Sequence, residues 1–419
     1  MFSMSIESSK VGYVNKLRLI SRDARLSIVS WMFYAFAFGI NDVLFNLYLL
    51  EAGYGEDFLG FFLSISMFLT GGLAIAAGIV ADRFSRKKIL VVSNTIIFIG
   101  FFIQYSTLVP IFLLLSQLLY GIGYGFNGVC WQPYTVSVTT EEERVHVFSV
   151  RFAFFLVASL LGSLVGGFLP TLFSNLGLAL NLLSAYRLSL WMALIPIGLG
   201  VIVIIPMSTD RVPKRRRFGF SNVVHRRFIG KYALAWTISG LGAGFFVHFF
   251  NVFFKLAFAA DEVTIGIIFA INTLVMAVGN FTSPAIVDRF GKIGTIIWFQ
   301  IFSLPFLFLL SWSPLLYIGV IGYVSRALFI NIAWPVMDVF YMEGLEKDEQ
   351  ATAMGVINTG DSLGRAIGLN IGGVMLASGF LRAPYLVAGI LYAISIILFI
   401  IFFGGKTEGT NKSSVVINE

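Results

Sequence analysis

Long apolar runs, each broken by a few polar residues, recur from one end of the chain to the other. A helix needs about 20 apolar residues to cross a bilayer, and these runs supply them. The alternating segments of about ten residues that mark a membrane barrel are absent. The pattern predicts twelve spans, at about 26–51, 57–81, 89–108, 110–138, 146–172, 186–206, 228–256, 262–287, 294–312, 314–342, 350–378 and 380–404. Lipid cannot hydrogen-bond an open backbone, so each span should be a helix. The first run is too long for a signal-peptide core, and no small-residue cleavage site follows it.

The longest polar interruption divides the chain into residues 1–206, a basic linker 207–227 and residues 228–419. The two long segments repeat one another. Pro133, Glu141, Gly162 and Gly166 correspond to Pro335, Glu343, Gly364 and Gly368, all at one offset of 202. The fold expected is an all-α membrane protein, with twelve transmembrane helices in two pseudo-symmetric six-helix bundles.

Composition agrees. The chain is 58% hydrophobic and 12% charged, against about 25% charged in soluble domains. Lys and Arg are sorted by side. Of 29, 23 fall at the N-terminus, in the even-numbered loops or in the tail. Arg187, Lys255 and Arg382 lie on the other side, and Arg151, Arg326 and Arg365 lie within spans. The positive-inside rule therefore places both termini in the cytoplasm of a multi-pass cell-membrane protein. The basic run 211–217 reads as a linker facing anionic lipid rather than a nucleic-acid site.

Several chemistries find no support. The one cysteine, Cys130, lies inside span 4. His146, His225 and His248 have no metal-ligand spacing. No phosphate-cradling loop is present, and Ser163 has no evident histidine base. No cofactor, metal or enzymatic function is expected.

Polar residues inside the spans are functional candidates, because ionisable groups there are costly. Helical periodicity sorts them by face. In span 1, Asp42 shares a face with Trp31, Ala35, Phe38 and Asn46, with Asn41 as an alternative hydrogen-bonding partner. In span 4, Gln117, Tyr124, Gly128 and Trp131 fall near one face, with Asn127 beside it. In span 7, Gly244, His248, Asn251 and Lys255 make one expected stripe through a wall of phenylalanines. The bland alternatives are His248 bonded to a neighbouring helix and Lys255 snorkelling to the surface. In span 10, Asn331, Trp334 and Asp338 cluster. Arg326 lies apart and needs a carboxylate partner or an anionic ligand. In span 11, Asp361 and Arg365 stand four apart, in the order that favours an ion pair. Arg151 in span 5 shares a face with Gly162 and Gly166.

A charged hinge, Gly78, Asp82, Arg83, Lys87 and Lys88, lies between spans 2 and 3. A weaker copy, Asp288 and Arg289, lies between spans 8 and 9. This hinge matches G-x-x-x-D-R-x-G-x-[RK]-[RK] with Ser85 in place of the second Gly, and by it the chain resembles the major facilitator superfamily. Span 4 keeps Gly121 and Gly123 of that family's R-x-x-Q-G-x-G but has Gln117 where the arginine stands. Span 5 has Gly162, Gly166 and Gly167 but lacks the proline of the antiporter pattern.

The resemblance implies a secondary active transporter working by alternating access, with spans 1, 4, 7 and 10 around a central cavity. On that reading the solute is small and organic, amphipathic or anionic, and transport is proton-coupled. The alternatives are a multidrug/proton efflux antiporter, which both departures disfavour, and a non-transporting sensor. Expected solute contacts are Asn46, Gln117, Tyr124, Asn127, Trp131, His248, Asn251, Arg326, Asn331 and Trp334. Expected proton sites are Asp42 and Asp338. Expected gating residues are Gly78, Asp82, Arg83, Lys87, Lys88, Asp288, Arg289, Arg151, Asp361 and Arg365. The expected partners are the solute, protons and membrane lipids, with the chain a monomer.

Overall fold

The computed structural model describes residues 20–81, 83–210, 224–346 and 349–404. Asp82 and most of the linker lie outside them. The helices are α1 (Arg22–Glu51), α2 (Glu56–Ala81), α3 (Arg86–Ser106), α4 (Pro110–Ser137), α5 (Glu141–Asn175) and α6 (Leu182–Ile204). There follow α7a (Arg226–Gly244), α7b (Phe250–Phe258), α8 (Glu262–Phe290), α9 (Lys292–Trp312), α10 (Leu316–Glu343), α11 (Gln350–Ala377) and α12 (Ala383–Phe403). Counting α7a and α7b as one, eleven segments among the described residues are long and apolar enough to cross a membrane. The other, α11, is 28 residues long but carries Asp361 and Arg365. It packs between α2 and α7a.

Local chemistry sets the helix ends. Ser21, Thr140, Asn181 and Asp261 each cap a helix by accepting a backbone N–H with the side chain, which satisfies one of the donors left over at a helix start. At Thr140 the reciprocal bond, donated by its own backbone N–H to the Glu143 carboxylate, completes a capping box. Gly291, at φ 69°, makes the sharp turn from α8 into α9.

The internal repeat is visible in the packing register. A Cβ on Gly162 would meet Phe36 O, and one on Gly364 would meet Thr237 O. Gly166 likewise sits against Ile40, and Gly368 against Leu241. Thus α5 packs on α1 as α11 packs on α7a. Lipid gives apolar faces little reason to associate, so close approach at small residues carries much of this packing.

The two ends of the bundle differ. Near the sparsely charged loops, the first six helices seal against the last six. A Cβ on Gly60 of α2 would lie 3.0 Å from the Gly373 Cα of α11, and one on Gly167 of α5 would lie 3.1 Å from the Gly266 Cα of α8. One hydrophobic core here joins residues of both halves, including Phe45, Phe62, Phe250 and Leu369. Toward the basic loops the core splits. One cluster around Trp131 and Tyr134 draws only on the first half, and another around Tyr232 and Tyr341 only on the second. There Gly72, Gly78, Gly128 and Gly355 have nothing within 4 Å of an added Cβ. The structure is closed on the sparsely charged side and open on the basic side. Gly373→Leu would drive a side chain into the Glu56 carbonyl, 2.5 Å from the Cβ position. It should lengthen the spin-label distance between the closed-side ends of α2 and α11. An unchanged distance would show that this contact does not hold the seal.

One buried polar cluster at the open side ties α7a to α11. Glu349 accepts the backbone N–H groups of Val224 and His225, and its other oxygen lies 2.6 Å from His225 Nδ1. Burial raises the Glu349 carboxyl, but the bonds from His225 and Val224 outweigh it, and the group sits below its usual value of 4.5. Its stabilisation is therefore complete above about pH 4.5 and is lost as pH falls through the lower folded value. Glu349→Gln should flatten the acid-side fall in melting temperature between about pH 5 and pH 3. An unaltered slope would mean that other carboxylates set it.

Candidate functional site

The seventh span is broken. Its sequence includes Gly240, Gly242 and Gly244, and each Gly weakens a helix by about 1 kcal/mol relative to Ala. At Gly244, α11 approaches so closely that a Cβ would stand 2.3 Å from the Arg365 carbonyl. Past it the chain forms a 3₁₀ turn, Val247–Phe249, before α7b resumes. Backbone groups released by a break inside a membrane need partners. Asn46 of α1 donates to the His248 carbonyl at 2.6 Å and to Asn251 Oδ1 at 2.9 Å. Asn251 in turn donates to the carbonyls of Asp42 and Val43. These bonds knit α1 to α7b across the two halves.

Just below this knot lie two adjoining cavities. The larger, about 380 Å³, is lined by Asp42, Gln117, His248 and Asn272 among aromatic walls that include Phe38 and Tyr120. The smaller, about 210 Å³, is lined by Trp236, Gln300, Arg326, Asn331 and Trp334, with Asp361 and Arg365. Val247, Phe250, Asn272, Met276 and Tyr323 line both.

The charges in these cavities are not equivalent. Arg365 Nε and Asp361 Oδ2 form an ion pair at 2.7 Å. Asp42 has no cationic partner among the described residues, and its neighbour Asn41 accepts the Tyr105 hydroxyl at 2.8 Å. Arg326 is 8% exposed. It stacks over Phe246 at 4.6 Å and Tyr392 at 5.1 Å and has no carboxylate within ion-pair distance among the described residues. Stacking on desolvated rings supplies roughly 2 kcal/mol or more but does not neutralise the charge. Gln117 Oε1, His248 Nδ1 and Asn272 Oδ1 are also buried without a partner. Such atoms are uncommon in folded proteins and call for an explanation.

A sequence profile described as Major Facilitator Superfamily matches residues 27–325 and again 232–416. The chain belongs to the major facilitator superfamily. Its family is one of membrane transporters, and its apolar helices make it a multi-pass membrane protein. It is 21% identical to an uncharacterized membrane protein of Saccharomyces cerevisiae, over 93% of this chain and 96% of that one. It is 26% identical to Multidrug resistance protein 1 of Bacillus subtilis, over 77% and 81%. Among solved structures, a bacterial homologue of the human lysosomal transporter Spinster, inward-facing and occupied, superposes with a TM-score of 0.73 at 13% identity, covering 90% of this chain and 95% of that one. The nucleoside transporter NupG gives 0.68 at 15%, covering 92% and 99%. These likenesses show the fold.

Within this major facilitator fold the expected site residues separate. Asp42, Asn46, Gln117, His248 and Asn251 line the larger cavity, and Arg326, Asn331 and Trp334 the smaller. Three do not line either. Asn127 donates to Asn94 of α3 at 2.9 Å. Trp131 is buried beneath the Arg151 guanidinium, which also stacks on Trp31. Tyr124 stacks on Tyr120 and is 41% exposed. Asp338 is exposed near the basic end of α10.

The single stripe expected along span 7 is a correction. The 3₁₀ turn resets the helical phase, so Gly244 packs on α11 while His248 and Asn251 face the cavity. Lys255 does not snorkel outward; its Nζ pairs with Glu262 Oε1 at 2.7 Å. The Tyr186 hydroxyl of α6 donates to the same carboxylate oxygen. This cross-half cluster on the closed side went unforeseen. Opposite charges seven residues apart across the 7–8 turn were its one signal in the sequence.

At the hinge, Ser85 Oγ donates to Asp210 Oδ1 at 2.7 Å and the Lys87 backbone N–H to the same oxygen at 3.2 Å. These bonds tie the hinge to the start of the linker, at Asp210. Arg83 and Lys88 are exposed, as are Asp288 and Arg289, and the Arg289 guanidinium lies 5.7 Å from the Phe290 ring.

Proposed function

We propose that this transporter carries a small amphipathic or anionic organic solute across the cell membrane by alternating access, coupled to protons. The observation that carries the reading is the cavity pair between the two halves, sealed on one side, with Asp42 and Arg326 unmatched on its walls. The basic loops mark the cytoplasmic side, so the described state is inward-facing with both termini cytoplasmic.

Asp42 is assigned the proton. A carboxylate with no fixed counterion can change its charge with its occupant, whereas the paired Asp361 cannot do so without leaving Arg365 uncompensated. Arg326 is assigned the anionic part of the solute, and Gln117, His248, Asn331 and Trp334 the rest of it. Asn46 and Asn251 are assigned the extracellular seal, because their amides are already committed to each other and to backbone. Asp338, near the mouth, serves as a second proton group or a gate. Gly78, Asp82, Arg83, Lys87 and Lys88, with Asp288 and Arg289, form cytoplasmic latches that engage across the halves when the cytoplasmic side closes. Among the described members, Gly78 has nothing within 4 Å of an added Cβ, and Arg83, Lys88, Asp288 and Arg289 are exposed, which fits the released position.

Efflux of drug-like compounds is the second reading, favoured by the likeness to the Bacillus protein. Gln117 in place of arginine and the absence of proline after Gly166 weigh against it. Uptake of labelled solutes into proteoliposomes tests the proposal. Saturable uptake above protein-free vesicles is expected. Binding without flux would instead identify a sensor.

A further inference from the structure

The charges around the two cavities are treated in two ways. Asp361 and Arg365 neutralise each other on one helix. Asp42, from α1 in the first half, and Arg326, from α10 in the second, stand in adjoining cavities, each without an oppositely charged partner among the described residues. Charges kept for structural reasons inside a membrane are paired. These two are held apart, with Tyr323, Phe250 and Asn272 lining the space between.

The neutral polar groups are sorted the same way. Beside Asp42, Gln117 is 4% and Asn272 8% exposed, and each leaves a side-chain oxygen with no donor. This end therefore holds two unmatched acceptors, with the unpartnered His248 Nδ1 beside them. At the other end the Arg326 guanidinium, held flat by Phe246 and Tyr392, makes no hydrogen bond among the described residues and presents unmatched donors. We propose that the solute is dipolar. A small apolar or aromatic frame carries an ammonium toward Asp42, Gln117 and Asn272, and a carboxylate or similar anion toward Arg326. An ammonium has three N–H donors for these acceptors, and a carboxylate accepts the guanidinium fork in two parallel bonds. With Asp42 ionised, the four lining charges sum to zero, so a zwitterion enters without leaving a net charge in the membrane.

The inference rests on the transporter reading for the cavity's role, but it does not require proton coupling. The test is thermal stabilisation of the purified full-length protein by matched triads. These are phenylalanine, phenethylamine and 3-phenylpropionate, with the corresponding zwitterion, amine and acid on the tryptophan and leucine frames. A ligand that binds the folded state raises its melting temperature, by an amount that grows with the logarithm of concentration over Kd. In at least one frame the zwitterion should stabilise at millimolar concentration while its amine and acid do not. Asp42→Asn and Arg326→Gln should each raise the Kd read from the concentration dependence of that stabilisation about tenfold or more. Should either variant fold poorly, the triad comparison on the wild-type protein decides alone. The inference is overturned if an acid or an amine stabilises as well as its zwitterion, or if no triad member stabilises. Flux measurements separate the two proposals. Uptake of a monopolar solute with no triad effect sinks this inference alone, and zwitterion binding without flux sinks the transport reading alone.

Discussion

Asp42→Asn is expected to abolish solute accumulation in proteoliposomes while leaving exchange of solute down its own gradient. One proton per solute moving across a difference of one pH unit supplies about 1.4 kcal/mol, or roughly tenfold accumulation. Asparagine keeps the size and polarity of the side chain but cannot change charge, so the variant should equilibrate solute to about onefold. The cavity-facing position of Asp42 and its lack of a cationic neighbour make it the group whose charge the occupant can reset. The substitution should cost little stability, because no ion pair is broken. If Asp42→Asn retained full proton-driven accumulation, the proton would have to be reassigned, with Asp338 next to be tested.

The second large effect is expected at Arg326. Removing one member of a buried, hydrogen-bonded charge pair costs about 2 kcal/mol or more, which is roughly 30-fold in affinity. Arg326→Gln should therefore raise KM for solute by about that factor, with a smaller change in the maximal rate. Arg326→Lys should recover little, since an ammonium lacks the planar fork and stacks poorly between Phe246 and Tyr392. Unchanged KM in both variants would leave the guanidinium without a role in binding and would point to structure instead.

How far the sequence foretold this depended on the physical signal involved. Hydropathy specified the helices, because it is read residue by residue along the chain. The repeat offset of 202 foretold the matched packing of Gly162 and Gly364. The Asp361–Arg365 pair was legible because both partners lie on one helix. The break in span 7 was not, since an apolar run of phenylalanines continues through it. Its cause is partly non-local, namely the approach of α11 to Gly244. Trp131 shares a helical face with Gln117, yet it lies about four turns nearer the open side. Depth along the helix keeps Trp131 from the cavity, while Asn127, beside that face, turns to Asn94. The Tyr186–Glu262–Lys255 cluster unites three spans, and periodicity within one span cannot predict that.

The most direct test of the account is to collapse the proton gradient during uptake. Proteoliposomes loaded with solute against its gradient under an imposed pH difference are treated with a protonophore. The account predicts that accumulated solute falls to equilibrium at once in the wild-type protein and that Asp42→Asn shows no accumulation to lose. Accumulation that persists after the gradient is gone would contradict proton coupling through this cavity.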